Sequence, residues 1–318
     1  MKNSILCYSV GALLYCPANN ESIVNSLIHE KFGRHFSLAL CLEDTIHDDY
    51  VEEAENILIH TITTLFTKKN QIPYIPKIFI RVRAARQITT LLERLKAAKE
   101  LITGFIIPKF SLENADEYIQ TISLVNKNTA QTIYMMPIFE SPTIINLQNR
   151  FHILYTLKEK LDSIEELVLN IRVGGNDLCH MFGFRRHNNE SIYQIQPIAN
   201  IFSDIITVFG MDYVISGPVW EYYNGDGWDT GLKNELQQDC LSGFVGKTVI
   251  HPNQIELVNH AYKVSQKDYD DAKSILNWNT DTASLVSGSV TRERMNEYKT
   301  HSNWALKTLM LSEVFGIK

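Results

Sequence analysis

Eight short apolar runs, each followed by a longer amphipathic stretch, constrain this chain more than any other feature. The runs fall at 12–15, 37–42, 77–82, 104–107, 132–138, 167–173, 213–216 and 247–250. The amphipathic stretches fall at 21–32, 49–66, 87–99, 115–125, 144–161, 197–209, 231–241 and 253–262, with two more at 266–278 and 291–314. Strands that are apolar on both faces and alternate with helices form parallel sheets. Eight such units in about 250 residues is the count of a (β/α)8 barrel. An open doubly wound sheet more often carries a Gly-rich nucleotide loop after its first strand. Here that strand runs into Pro17-Ala18-Asn19-Asn20 instead. The expected architecture is a TIM-type barrel over 1–264 and a helical arm over 265–318, packed on the barrel or on a neighbouring subunit. The polar, small-residue segment 277–289 is the expected hinge.

Charge and composition narrow the function. Thirty basic residues against 36 acidic ones give a net charge of −6, which argues against a nucleic-acid-binding surface. No apolar run approaches the roughly 18 residues that a membrane span requires. The five cysteines contain no CxxC pair, so neither a disulfide framework nor a zinc site is suggested. The apolar stretch 5–14 ends at the bulky Tyr15 rather than at small residues and reads as a first buried strand, not a signal peptide. A cytoplasmic protein is expected.

In such a barrel, chemistry collects at the C-terminal ends of the strands. The predicted ends carry Glu43 and Asp44, Arg81 and Arg83, Lys109, Glu140, Arg172, Asp177 and His251. Carboxylates and cations at that density are costly if dry and unpaired, and a divalent metal, an anionic ligand or mutual ion pairs would offset the cost. Glu140 and Asp177 follow neighbouring strands, so their carboxylates can meet at one ion. Two carboxylates with open positions for water and substrate oxygens suit Mg2+. The plainer alternative for each is helix capping or pairing with a nearby arginine.

Seven segments, in order, carry a resemblance. They are Leu13-Leu14-Tyr15-Cys16-Pro17-Ala18-Asn19, Leu42-Glu43-Asp44-Thr45-Ile46, Ile80-Arg81-Val82, Ile107-Pro108-Lys109, Phe139-Glu140-Ser141-Pro142 and Gly175-Asn176-Asp177-Leu178. The seventh is Gly243-Phe244-Val245-Gly246-Lys247 with Ile250-His251-Pro252-Asn253-Gln254. Together they resemble the HpcH/HpaI aldolase and citrate lyase β-subunit-like family. The resemblance implies a TIM-like barrel and a Mg2+ ion held by Glu140 and Asp177. It also implies carbon–carbon cleavage or formation on a small oxo-acid or acyl-CoA-type substrate, through a metal-stabilised enolate. Arg81 would bind the oxo-acid, and Glu43 and Asp44 would orient it. A homo-oligomer is implied as well.

Departures from the family pattern set the open questions. The CoA-thioester branch usually carries an arginine after the first strand, where this chain has Asn19-Asn20. In the citrate-lyase branch a catalytic Asp arrives on the C-terminal segment; here Glu297 stands near that place. Arg83, Lys109, Arg185 and Arg186 are further candidate substrate contacts, each with an ion pair or a solvated charge as the alternative. His251 tempts as a base, but before Pro252 a structural role is the commoner one. The aromatic loop 220–228 suggests a lid or a subunit contact. The rivals to a free oxo-acid lyase are a malyl- or citramalyl-CoA thioesterase or lyase, and a non-catalytic ligand-binding component of a biosynthetic or stress-response system.

Overall fold

The computed structural model describes residues 4–281 and 283–318. In chain order the elements are α1 (Ile5–Tyr8), β1 (Ala12–Pro17), α2 (Ile23–Ile28), β2 (Phe36–Cys41), α3 (Val51–Thr67), β3 (Lys77–Arg81), α4 (Ala85–Leu95) and β4 (Ile102–Ile107). There follow α5 (Ala115–Lys127), β5 (Tyr134–Phe139), α6 (Arg150–Asp162), β6 (Ile171–Val173), α7 (Gly175–Met181), α8 (Gln196–Phe209), β7 (Ile215–Ser216), α9 (Trp228–Ser242), β8 (Lys247–Val249) and α10 (Asn253–Ala261). The chain closes with α11 (Gln266–Leu276), the hairpin strands β9 (Val286–Gly288) and β10 (Met295–Glu297), and α12 (Tyr298–Phe315).

The parallel strands run in the order β7-β6-β5-β4-β3-β2-β1-β8. A bridge between Gly217 and Lys247 joins the two ends. The Gly217 N–H donates to Gly246 O at 3.0 Å, and the Val245 N–H donates to Ile215 O at 2.8 Å. These bonds close the (β/α)8 barrel and leave no sheet edge.

Register fixes which side chains share a face. Tyr15 pairs with Ala39, and Ala39 with Phe79; Cys41 pairs with Arg81, and Arg81 with Ile106. Ile138 pairs with Arg172, Arg172 with Ser216, and Leu13 with Thr248. Because strand side chains alternate, these residues all lie on one side of the sheet. That side is the barrel interior, since Arg172 reaches past β7 to donate to Thr248 Oγ1 at 2.6 Å. The opposite face meets the helices through buried rows such as Ile88, Leu91 and Leu95 on α4.

The structure departs from the expectations in four places. The 5–14 stretch is not one strand: α1 ends and Gly11, at φ +58°, turns the chain into β1. Gly246 packs so closely there that a Cβ would lie 2.3 Å from Gly11 O. The stretch at 144–161 does not start a helix, because Pro142–Ile144 forms a 3-10 turn and α6 begins only at Arg150. The polar stretch after β6 contains α7. Hairpin β9–β10 replaces the first turns of the last expected helix. In the proposed hinge segment, Thr282 lies outside the described residues. The arm packs α12 against α11 and α1. The Phe315 and Tyr262 rings lie 5.3 Å apart, and Lys307 Nζ donates to Gly243 O at 3.0 Å. These contacts place the arm at the end of the barrel where β1 and β8 begin. Among the described residues no helix is long and apolar enough to cross a membrane.

A buried ionic cluster ties the β6 and β7 loops to the barrel wall. Lys247 Nζ lies 2.9 Å from Glu235 and 2.7 Å from Asp239, all three fully buried. Arg186 Nη2 joins Glu235 at 3.3 Å, and its guanidinium sits 5.1 Å from the Trp220 ring centre. Replacing Lys247 by Met strands the buried Asp239 carboxylate and leaves Glu235 with Arg186 alone. It is expected to cost about 3–5 kcal/mol, read as a fall in the urea midpoint at unchanged m-value.

Candidate active site

At the C-terminal rim, β2 to β6 and the turns that follow them bring six of the expected residues together: Glu43, Asp44, Arg81, Lys109, Glu140 and Asp177. Arg81 is the hub: its Nη2 lies 2.8 Å from Asp44, 3.1 Å from Glu140 and 2.5 Å from Glu43. The side chain is only 10% exposed. Such a site needs its countercharges close, and the turn after β2 supplies two of them in adjacent residues. Lys109 Nζ pairs with Glu43 and, at 3.0 Å, with Asp44. Lys109 sits at φ +48°, uncommon for a residue with a Cβ. That backbone turn lets its N–H donate to Glu140 Oε1 at 3.1 Å.

Glu140 is the driest carboxylate of the group, at 2% exposure. Burial raises its pKa to about 8. Arg81 and the Lys109 N–H pull it down, while the charges of Asp177 and Glu43 push it up. The turn from β6 into α7 makes this crowding: a Cβ on Gly174 would lie 2.0 Å from Glu140 Oε2 and 2.4 Å from its Cβ. Asp177, in the first turn of α7 and half-buried, lies near enough for its charge to act on Glu140. Burial also acts to raise Asp44, but the contacts with Glu43, Lys109 and Arg81 outweigh it and hold this carboxyl below its usual range. Two carboxylates that repel each other are donors a hard cation favours. Among the described residues no group of three or more His, Cys, Asp or Glu side chains is placed to hold a metal ion.

Other candidates go elsewhere. Arg83 does not join Arg81. Its guanidinium donates to the carbonyls of Leu42 at 2.6 Å, Glu43 at 3.0 Å and Ile46, and pairs with Asp48. It braces the turn that presents Glu43 and Asp44. Arg186 is spent in the buried cluster around Glu235, while Arg185 stays 81% exposed, 3.6 Å from Glu221. Glu297 caps the start of α12 and accepts from Thr300 Oγ1 at 2.6 Å. The arm docks at the opposite end of the barrel, so this carboxylate does not reach the rim of its own chain. His251 stacks on Tyr223, ring centres 4.7 Å apart, and accepts from the Asn253 N–H through Nδ1 at 3.2 Å. The loop of Trp220 is pinned by the Gln254 amide, which donates to Trp220 O and Tyr222 O.

Three residues had no assigned role in the sequence. Arg150 is buried beneath the turn after Glu140. It donates to Ile144 O at 2.6 Å and Ile145 O at 3.0 Å, and pairs with Asp204 at 2.8 Å. Arg172 and Tyr15 sit inside the barrel mouth. Their alternation with Ile138 and Ala39 on neighbouring strands was the available signal.

A family of carbon–carbon bond lyases with the TIM-barrel fold matches residues 4–317. The chain belongs to that family. As a member it is a carbon–carbon bond lyase. Solved structures share its fold at low identity. A citrate lyase from Burkholderia xenovorans LB400 superposes with TM-score 0.72 at 14% identity, over 97% of this chain and 93% of its own. The CitE protein of Mycobacterium tuberculosis, solved with magnesium, acetoacetate and coenzyme A, gives 0.62 at 16% identity, over 96% and 99%. The same organism's CitE protein with magnesium and pyruvate gives 0.54 at 18%, over 82% and 93%. No curated protein matches the chain.

Proposed function

We propose that this lyase cleaves or forms a carbon–carbon bond in a small, free oxo-acid or hydroxy-acid, with Mg2+ as cofactor and an enolate as the intermediate. The observation that carries the reading is Glu140: a carboxylate at 2% exposure, pushed up to about 8, crowded by the turn at Gly174 and near enough to Asp177 to feel its charge. Glu140 and Asp177 would hold the ion. When bound, Mg2+ supplies Lewis-acid polarisation of the substrate carbonyl. Arg81 orients the substrate carboxylate, and its fixed charge stabilises the enolate oxygen without reorganising. Glu43 and Asp44 hold the Arg81 fork in place, and Lys109 ties both carboxylates to the rim. The magnesium complexes of CitE with pyruvate and with acetoacetate support the same substrate class.

A free acid is favoured over a CoA ester because the turn after β1 holds no cation. Asn20 Oδ1 there accepts from the Ser22 N–H and hydroxyl at 3.0 and 2.7 Å, a self-contained turn. The test is turnover of a panel of short 4-hydroxy-2-oxo acids beside malyl- and citramalyl-CoA, with Mg2+ and with chelator. Cleavage of free acids that chelator stops is the expected result. Cleavage of the CoA esters alone would restore the thioester reading, and Mg2+ and pyruvate binding without turnover of any substrate would leave a ligand-binding protein.

Gly174→Ala probes the same space without touching a charge. The added methyl overlaps the stem of Glu140, not only its tip, so the carboxylate must move. The expected outcome is a loss of about 10- to 100-fold in Mg2+ affinity, by calorimetry, with the fold intact by circular dichroism.

A further inference from the structure

Among the described residues four arginines are buried: Arg81, Arg150, Arg172 and Arg186. Three of them have carboxylates beside them. Arg81 has Glu43, Asp44 and Glu140, Arg150 has Asp204, and Arg186 has Glu235. Arg172 is the exception. It is 1% exposed, and among the described residues no carboxylate forms an ion pair with it. It donates instead to neutral oxygens, Thr248 Oγ1 at 2.6 Å and Asn170 Oδ1 at 3.5 Å. The Asn170 side chain is equally buried, and its Nδ2 has no hydrogen-bond partner. A buried guanidinium without a countercharge is costly, and a buried donor left unmade adds to the cost. Both groups are short of an acceptor.

The mouth of the barrel leads to this place. Thr248 points inward from β8 and is partly exposed. Leu13 and Ser37, at its own level on β1 and β2, are closed to solvent. The arm docks at the end where β1 and β8 begin, so Thr248 opens upward, past the partly exposed Tyr15 two residues above Leu13. The hydroxyl that Arg172 holds is therefore at the floor of the mouth. Arg172 stands on β6, below the turn that carries Asp177, and Arg81 stands three strands away on β3. Two cations so placed fit the two acidic ends of one molecule.

We propose that Arg172 binds a second carboxylate of the substrate and so selects 2-oxo diacids over monoacids. The inference rests on the lyase reading and names its substrate class. Arg81 and the ion take the oxo-acid end, and the far carboxylate descends to the Arg172 fork, whose planar donors match it. A monoacid of equal length brings an apolar end to a dry, unpaired guanidinium, and that mismatch is the source of discrimination.

The test is calorimetry at saturating Mg2+ with two matched pairs, 2-oxoglutarate against 2-oxopentanoate and 2-oxoadipate against 2-oxohexanoate. The members of each pair differ only in the distal carboxylate. The wild type is expected to bind at least one diacid about 10- to 100-fold more tightly than its partner. Arg172→Met should lose that preference while its affinity for pyruvate stays within about twofold. Arg172→Lys keeps a charge without the fork and should keep part of the preference. Arg172→Met should also match or exceed the wild type in urea midpoint without ligand, because no carboxylate loses its partner. A wild type without preference in either pair, or a preference that survives in Arg172→Met, would overturn the proposal and leave the lyase reading standing. A fall in midpoint as large as that of Lys247→Met would show a countercharge already in place, and would overturn it too. A wild type that binds no oxo-acid with Mg2+, pyruvate included, would take down the lyase reading and this inference with it.

Discussion

The Asp177→Ala protein folds, loses Mg2+ affinity and loses turnover with it. The affinity loss is expected to exceed the roughly 100-fold that removal of an outer-shell partner costs. The ground is electrostatic. Asp177 pushes the dry Glu140 carboxyl up, so in the metal-free protein its charge is a burden that Mg2+ relieves. Removing it should therefore leave metal-free stability unchanged or slightly higher. If Asp177 only completed the N-terminus of α7, the pattern would invert. Stability would fall by about 0.3–1 kcal/mol while calorimetry showed Mg2+ affinity untouched. Paired Mg2+ titrations and urea curves separate the two.

Arg81→Ala is expected to be the most damaging single change at the rim. It leaves Glu43 and Glu140, both nearly buried, without their shared cation. Breaking a buried pair this way costs about 3–5 kcal/mol, seen in urea unfolding. Loss of the preorganised charge lowers kcat by on the order of 10²–10³-fold. Arg81→Lys parts these effects. The positive charge stays, so most stability returns, but a shorter side chain ending in an ammonium cannot both reach the point where Nη2 meets Glu43, Asp44 and Glu140 and offer a planar face to a substrate carboxylate. The lysine variant should therefore be stable and still slow. A stable lysine variant with full kcat would remove Arg81 from the chemistry.

The barrel was legible because each strand is an apolar run buried on both faces, and such runs have few other places to go. Their ends were less so: β6 and β7 are short, since the residues flanking 171–173 and 215–216 leave the ladder. Gly11 hid α1, because a turn at positive φ is not visible in an apolar stretch. The rim charges were readable as a set from their positions after strands, but their partners were not. Arg83 and Arg150 spend their donors largely on backbone carbonyls, which no residue pattern displays. Arg186 reads beside Arg185 as a substrate contact or a solvated charge, yet one residue of difference sends it under Trp220 to Glu235. Tyr15 read as one more apolar residue of a strand. Only the register of β1 with β2 and β3 places its ring on the inward face that carries Arg81.

A crystal structure grown with Mg2+ and pyruvate tests the central claim most directly. The account predicts one ion between the carboxylates of Glu140 and Asp177, with the pyruvate carboxylate against Arg81. Pyruvate bound away from Arg81, or Mg2+ held by other residues while Glu140 stays paired as it is now, would contradict it.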